Sequence, residues 1–313
     1  MYFPFLRGKQ FELLALKEIC PLLKPANKIH PIIEPVKESF QALERSLSEL
    51  CCNGISPTII VNPSVGDMGG TTAFKLNSFM SKFIENNEAN IGFIISNDFD
   101  VSKARNVIER FYTDSTPITL IYNNETDVDR SDLKDFIANH TVIYNVIDEA
   151  NPRNFQRLFD PATKVFLSDP FPKAERNADY AKKHDALLTE EHKYYSNDGF
   201  VGFSDYLMIG KDYKESGFLP YAVAIHLTYS AKADEEIRLR HFVSNSNDDD
   251  SNVAGKFSEA LAKLIEFVPA LTLKTKAVIE FEQLYAKEHY PGLGYLKKLS
   301  ILNHLELVNK LLQ

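Results

Sequence analysis

The sequence predicts an α/β fold, a (β/α)8 TIM-like barrel with an added β-hairpin and C-terminal helices. Three observations predict it. Short β-rich runs alternate with helical apolar patterns from the first residues to about Gly210, as expected of repeated βα units on a parallel sheet. Eight such runs fall within roughly 210 residues, and the size range of these barrels begins at about 200. No glycine fingerprint follows an early strand and no composition shift divides the stretch, which disfavours the runner-up, an open doubly wound sheet.

Strands are expected at Tyr2–Arg7, Ile29–Val36, Thr58–Asn62, Ile91–Asn97, Ile118–Tyr122, Thr141–Ile147, Lys164–Asp169 and Phe200–Leu207. Between them, Leu13, Leu14, Leu16 and Ile19 recur at helical spacing, then Phe40, Leu43, Leu47 and Leu50, then Phe74, Leu76, Phe79, Met80 and Phe83. Asp100 stands as a start signal before Ala104, Val107, Ile108 and Phe111, and Ser131 before Leu133, Phe136 and Ile137. Asn151-Pro152 reads as a cap and a first-turn proline ahead of Phe155, Leu158 and Phe159. Beyond Gly210, Tyr221–Tyr229 and Glu236–Ser244 alternate as an antiparallel hairpin. The polar run Ser244–Asn252 reads as a solvated loop, and helical stripes follow, one from Ala254 to Val268 and one from Leu299 to Leu312. The whole of 1–313 is read as a single domain, with the barrel over 1–210, the hairpin over 220–244 and a helical extension over 252–313.

Composition narrows the function classes. With 35 Lys+Arg against 43 Asp+Glu the formal charge is −8, which argues against general nucleic-acid binding, although a local basic patch stays open. Three cysteines, Cys20, Cys51 and Cys52, are an odd count with a vicinal pair, so no disulfide framework is expected and a reducing cytoplasm is. No apolar run approaches the roughly 18 residues of a membrane span, and the first residues lack the order of a signal peptide. No membrane partner is expected.

A barrel locates its site in advance, because chemistry in this fold gathers at the C-terminal ends of the strands. Those ends present Arg7, Glu34, Asn62, Asn97 with Asp98, Asn123, Asp148, Asp169 and Asp205. Several continue an apolar alternation: Phe3, Phe5, Arg7; Ile32, Glu34; Ile60, Asn62; Ile91, Phe93, Ile95, Asn97; Val165, Leu167, Asp169; Val201, Phe203, Asp205. Both faces of a parallel strand are apolar, so this parity leaves open whether the shared face points into the barrel or toward the helices. Turn forming and capping are the bland roles for such residues, favoured for Asn123 and Asp148. Glu34, between Ile33 and Pro35, needs a cation, a proton or a ligand if buried. Arg7-Gly8-Lys9 either receives an anion at the first strand-to-helix junction or pairs with Glu34. The glycine-rich stretch from Gly66 to Thr72 lacks the Gly-Lys-Ser/Thr of a phosphate loop and reads as a plain loop. The histidines form no zinc motif; His226 and His241 fall one on each hairpin strand.

The opening Tyr2-Phe3-Pro4-Phe5-Leu6-Arg7-Gly8-Lys9-Gln10-Phe11-Glu12, with His30-Pro31-Ile32-Ile33-Glu34-Pro35-Val36, resembles the "beta protein" family of uncharacterised phage and bacterial proteins. Gly202-Phe203-Ser204-Asp205-Tyr206 and Ala222–Tyr229 are similar to it too. The resemblance implies a barrel-like protein in a mobile-element or phage-defence context and brings no established activity.

Two functions are therefore expected. In the first, a barrel enzyme binds or hydrolyses a phosphorylated or otherwise anionic small molecule or nucleotide. Arg7, Lys9, Asn62 and Asn97 hold it, Glu34, Asp169 and Asp205 bind Mg²⁺, and Glu34, Asp205 and His226 act in catalysis. In the second, a non-catalytic module uses the hairpin to bind a protein partner in a defence or toxin-immunity setting.

Overall fold

The computed structural model describes residues 1–23, 28–68, 73–86, 88–215, 219–231 and 236–313. Seven strands follow one another in parallel around the sheet: β1 (Phe5–Leu6), β2 (Ile32–Ile33), β3 (Thr58–Ile60), β4 (Asn90–Ile94), β5 (Ile118–Tyr122), β6 (Val142–Asp148) and β7 (Lys164–Ser168). The next strand, β8 (Asp185–Thr189), leaves the sheet, and β9 (Gly202–Asp205) takes the eighth place beside β7. A parallel bridge between Tyr2 and Phe203 closes the ring. Across that seam Phe3 N–H donates to the Phe203 carbonyl at 2.8 Å and Phe203 N–H to the Met1 carbonyl at 3.0 Å. The molecule is a (β/α)8 barrel, with all eight strands where the β-rich runs predict them.

Closure sorts the side chains into two cores. Phe3, Phe5, Ile32, Ile60, Ile94, Ile121, Val146, Val165 and Leu167 fill the interior. Tyr2, Leu6, Ile33, Ile59, Ile91, Phe93, Ile95 and Phe203 face the helices. The interior is tight at β9: a Cβ on Gly202 would stand 2.5 Å from the Phe3 ring, so only glycine fits there.

Five helices cover the outer faces between the first six strands: α1 (Gln10–Ile19), α2 (Gln41–Cys52), α3 (Ala73–Glu85), α4 (Val101–Phe111) and α5 (Arg130–Asn139). Asp100 caps α4 as expected, accepting from Lys103 N–H at 3.0 Å. The cap of α5 is Asp129 rather than Ser131, because its carboxylate reaches the free N–H groups of Ser131 and Asp132 at 2.8 and 2.9 Å. The regular alternation then stops. Helix α6 (Arg153–Gln156) has a single turn, with Pro152 at its cap and Asn151 instead bonding the Tyr122 and Asn124 carbonyls. No full-length helix follows β7; the chain makes a 3-10 segment (Asn177–Lys183), then β8 and the short α7 (Glu191–Tyr194).

The hairpin forms as predicted from β10 (Ala224–Ser230) and β11 (Ile237–Val243), with His226 opposite His241; its expected turn at 232–235 lies outside the described residues. β8 pairs with β11 to complete a separate three-stranded sheet. After a solvated 245–252 loop come α8 (Val253–Phe267), α9 (Lys276–Ala286) and α10 (Leu293–Leu311). α10 is buried along most of its length, packing on α1 and β10 and setting the His304 ring 5.9 Å from that of Tyr2. It therefore lies over the barrel's seam. Among the described residues, no helix is long and apolar enough to cross a membrane.

Candidate functional site

Inward parity at the strand ends carries Arg7 into the C-terminal mouth, above Phe3 and Phe5. Its guanidinium lies 5.2 Å from the Phe5 ring centroid and 5.4 Å from that of Tyr206. One terminal nitrogen pairs with Glu34, and the other donates to the Lys211 carbonyl. Glu34 is fully buried, and its second oxygen accepts Ser64 N–H at 2.7 Å and the Ser64 hydroxyl at 2.9 Å. Of the two readings of Arg7, the ion pair is the one that forms, and it supplies the cation that a buried Glu34 requires.

Three more charged groups close the ring. Asp148, at the end of β6, accepts from the Lys211 ammonium at 2.8 Å and from Ala150 N–H at 2.9 Å. Asp169, just past β7, accepts Lys211 N–H at 2.9 Å through one oxygen, while its other oxygen is buried with no partner among the described residues. Burial pushes the Asp169 carboxyl above the ordinary carboxylate range, and Asp205 and Asp212 push the same way against Lys211. Tyr206 is buried at the centre of this ring. Arg7, Asp148, Glu34 and Asp169 are all close enough to act on its hydroxyl, which burial drives above the usual phenol range. That hydroxyl and Arg7 Nε also lack hydrogen-bond partners among the described residues.

The segment 206–215 runs across the mouth. Besides the Lys211 contacts, the Lys9 ammonium donates to the Lys214 carbonyl and lies 4.5 Å from the centroid of the Tyr213 ring. Lys37 pairs with Glu215 at 2.9 Å, and Lys173 pairs with Asp212.

The structure thus brings Arg7, Glu34 and Asp169 together and leaves Lys9 on the rim, where burial and Lys297 lower its pKa. The other expected site residues are used elsewhere. Asp205 faces outward with Phe203, where it accepts from Tyr2 OH at 2.7 Å and Leu207 N–H at 2.9 Å and meets His304 Nε2 at 3.4 Å. It is a fastening for α10, not a catalytic group at the mouth. Asn62 extends the β3–β4 ladder, donating to the Ile94 carbonyl at 2.8 Å and accepting its N–H at 2.9 Å. Asn97 shares the outward parity of Ile91, Phe93 and Ile95, and its oxygen accepts Asp127 N–H at 3.3 Å. Neither amide is poised for a cofactor. His226 sits on the small sheet, its Nδ1 2.7 Å from that of His241 and its ring packed on Phe171 and Tyr180, so it is no acid–base group for this mouth.

The expected Mg²⁺ set of Glu34, Asp169 and Asp205 does not assemble. Asp205 points to the helices, Arg7 occupies Glu34, and among the described residues no three His, Cys, Asp or Glu side chains gather to hold a metal ion. The glycine-rich stretch after β3 lies partly outside the described residues, at 69–72. Tyr206, Lys211, Ser64 and the full role of Asp148 are not apparent from the strand-end pattern. Tyr206 alone left a signal, as an aromatic two residues past the inward-facing Ser204.

Strand order and closure define the class: a (β/α)8-barrel protein with a charged, largely buried C-terminal mouth. Among solved structures, N-acetylneuraminate lyase from Mycoplasma synoviae is similar at 14% identity and a TM-score of 0.42, over 66% of this chain and 68% of that one. No family model and no curated protein matches the chain.

Proposed function

We propose that the barrel mouth binds a small anionic molecule and that Asp169 exchanges a proton with it. The observation that carries this reading is that three of the buried polar atoms without hydrogen-bond partners among the described residues gather at the mouth: Arg7 Nε, Tyr206 OH and Asp169 Oδ1. Leaving such atoms unpaired costs about 1–3 kcal/mol each, a cost that a ligand removes. Arg7 Nε–H and Tyr206 O–H donate to a carboxylate, carbonyl or phosphoryl oxygen. Asp169 takes a neighbouring hydroxyl or amine, and burial, by raising its pKa, makes its protonated form easier to reach than that of an ordinary carboxylate, as a group that exchanges a proton requires. Metal-assisted hydrolysis is not part of the proposal, because the carboxylates do not converge.

Entry requires the 211–215 segment to lift, which breaks its rim ties to Lys9, Lys37 and Lys173 and the contacts of Lys211 with Arg7, Asp148 and Asp169. The interaction-module reading is the weaker one, since the hairpin is lined by β8 along β11 and packed by α8 and α10. The proposed setting is a reducing cytoplasm, supported by three free cysteines, in a phage-defence or mobile-element context supported by the opening motifs.

The test is thermal melting against a panel of hydroxycarboxylates, sugar phosphates and nucleotides. A ligand at about 100 times its Kd adds about 2.7 kcal/mol, a shift of several degrees. At least one compound should raise the wild-type melting temperature while leaving Asp169→Asn and Tyr206→Phe unmoved. An equal response from all three proteins would overturn the assignment.

A further inference from the structure

A second cleft lies on the outside of the barrel, where the regular alternation of helices fails. Because α6 is one turn long and no full helix follows β7, the outer face of β7 is left uncovered, and a cleft of about 700 Å³ opens there. This is within the roughly 300–1,000 Å³ of small-molecule sites. Its floor is aromatic: Phe166, partly exposed on β7, meets Phe200 edge-on at 5.4 Å. Its lining carries three cations, Arg153, Arg157 and Lys164. Neither guanidinium has an ion pair or hydrogen-bond acceptor among the described residues, and the Lys164 ammonium has only the Phe200 ring, 4.9 Å away.

The same lining carries Glu149, Glu191 and Asp198. Burial raises the Glu191 pKa, and Asp198 and Glu149 add to the effect. No ion pair joins these carboxylates to the three cations, so the cleft offers a ligand both signs of charge beside an aromatic ring.

We infer that this cleft binds a phosphorylated molecule with a flat ring and hydroxyl groups, of the mononucleotide class. Its phosphate lies against Arg153 and Arg157, whose guanidinium forks suit phosphate oxygens, and against the point charge of Lys164. The ring rests on Phe166, and the hydroxyls donate to Glu191 and Asp198. The inference stands apart from the mouth reading, although the two sites share a wall, since Glu149 accepts Asp169 N–H at 3.4 Å.

Isothermal titration of the full chain with adenosine monophosphate, adenosine and inorganic phosphate tests it. Adenosine monophosphate should bind saturably and more tightly than either fragment, and more weakly as salt rises. Arg153→Ala and Arg157→Ala should each weaken it about tenfold or more. Both residues are exposed, so their variants should melt as wild type does, and Tyr206→Phe should leave the affinity unchanged. No binding, wild-type affinity in both arginine variants, or phosphate binding as tightly as the nucleotide would overturn the inference. Loss of binding in Tyr206→Phe alone would move the nucleotide to the mouth and overturn it as well.

Discussion

Asp169 and Asp205 end neighbouring barrel strands, and their surroundings drive them in opposite directions. Burial alone would raise the Asp205 pKa, but His304, Tyr2 and Leu207 N–H outweigh it and hold the carboxyl below its ordinary value. Its ionised form is therefore favoured in the folded state, so its contribution to stability is present above the unfolded pKa of about 3.9 and is lost as pH falls through the lower folded value. Asp169 has the opposite sign: its raised folded pKa makes the protein more stable where the group is protonated, and that gain disappears as pH rises from about 3.9 through the folded value. Asp205→Ala leaves the buried Tyr2 hydroxyl without its acceptor and removes the partner that His304 Nε2 faces, and denaturant unfolding near neutral pH should register a loss of about 1–3 kcal/mol. A loss under about 1 kcal/mol would show that Asp205 does not fasten α10. The alternation Val201, Phe203, Asp205 is visible in the sequence, but both faces of the strand are apolar, and only closure of the ring shows that this one points outward. Arg7, Glu34 and Asp169 were legible because they continue the inward runs of Phe3 and Phe5, of Ile32, and of Val165 and Leu167. Lys211 was not, because it reaches the mouth on a returning segment with no periodicity of its own.

At the scale of elements, periodicity marks all eight barrel strands and both hairpin strands, since each buries enough β-branched or aromatic residues to stand out. It misses β8, a five-residue strand whose neighbours are polar and whose partner, β11, lies about fifty residues further on. The (β/α)8 pattern also implies a helix after β7, which the chain does not make. The small sheet that β8 completes has its own pH signature. Burial, helped by His241, lowers the His226 pKa to about 3, and burial lowers that of His241 to about 4. The folded state favours neutral rings, so this contribution is intact above the unfolded pKa of about 6.5 and is lost as pH falls toward the folded values. Unfolding measured from pH 7 to 5 should show a loss on the order of 2 kcal/mol per histidine, and His226→Phe should flatten the curve by about one histidine's share. An unchanged slope in that variant would place the pair in contact with water.

At the scale of the whole molecule, α10 and its Asp205–His304 contact lock the seam between β1 and β9, and the barrel so closed leaves its mouth charged, buried and incompletely hydrogen-bonded. Structural polar groups are paired as a rule, and unpaired ones persist where something else requires them. Tyr206→Phe removes a buried hydroxyl with no partner among the described residues, and Asp169→Asn removes a carboxylate whose ionisation burial opposes. The most direct measurement is the unfolding free energy of these two variants without any ligand at pH 7. If the mouth is a binding site, Tyr206→Phe should be more stable than wild type by about 1 kcal/mol, and Asp169→Asn equally or more stable. If both variants instead lose 1 kcal/mol or more, these groups hold the fold together, and the mouth is not the site.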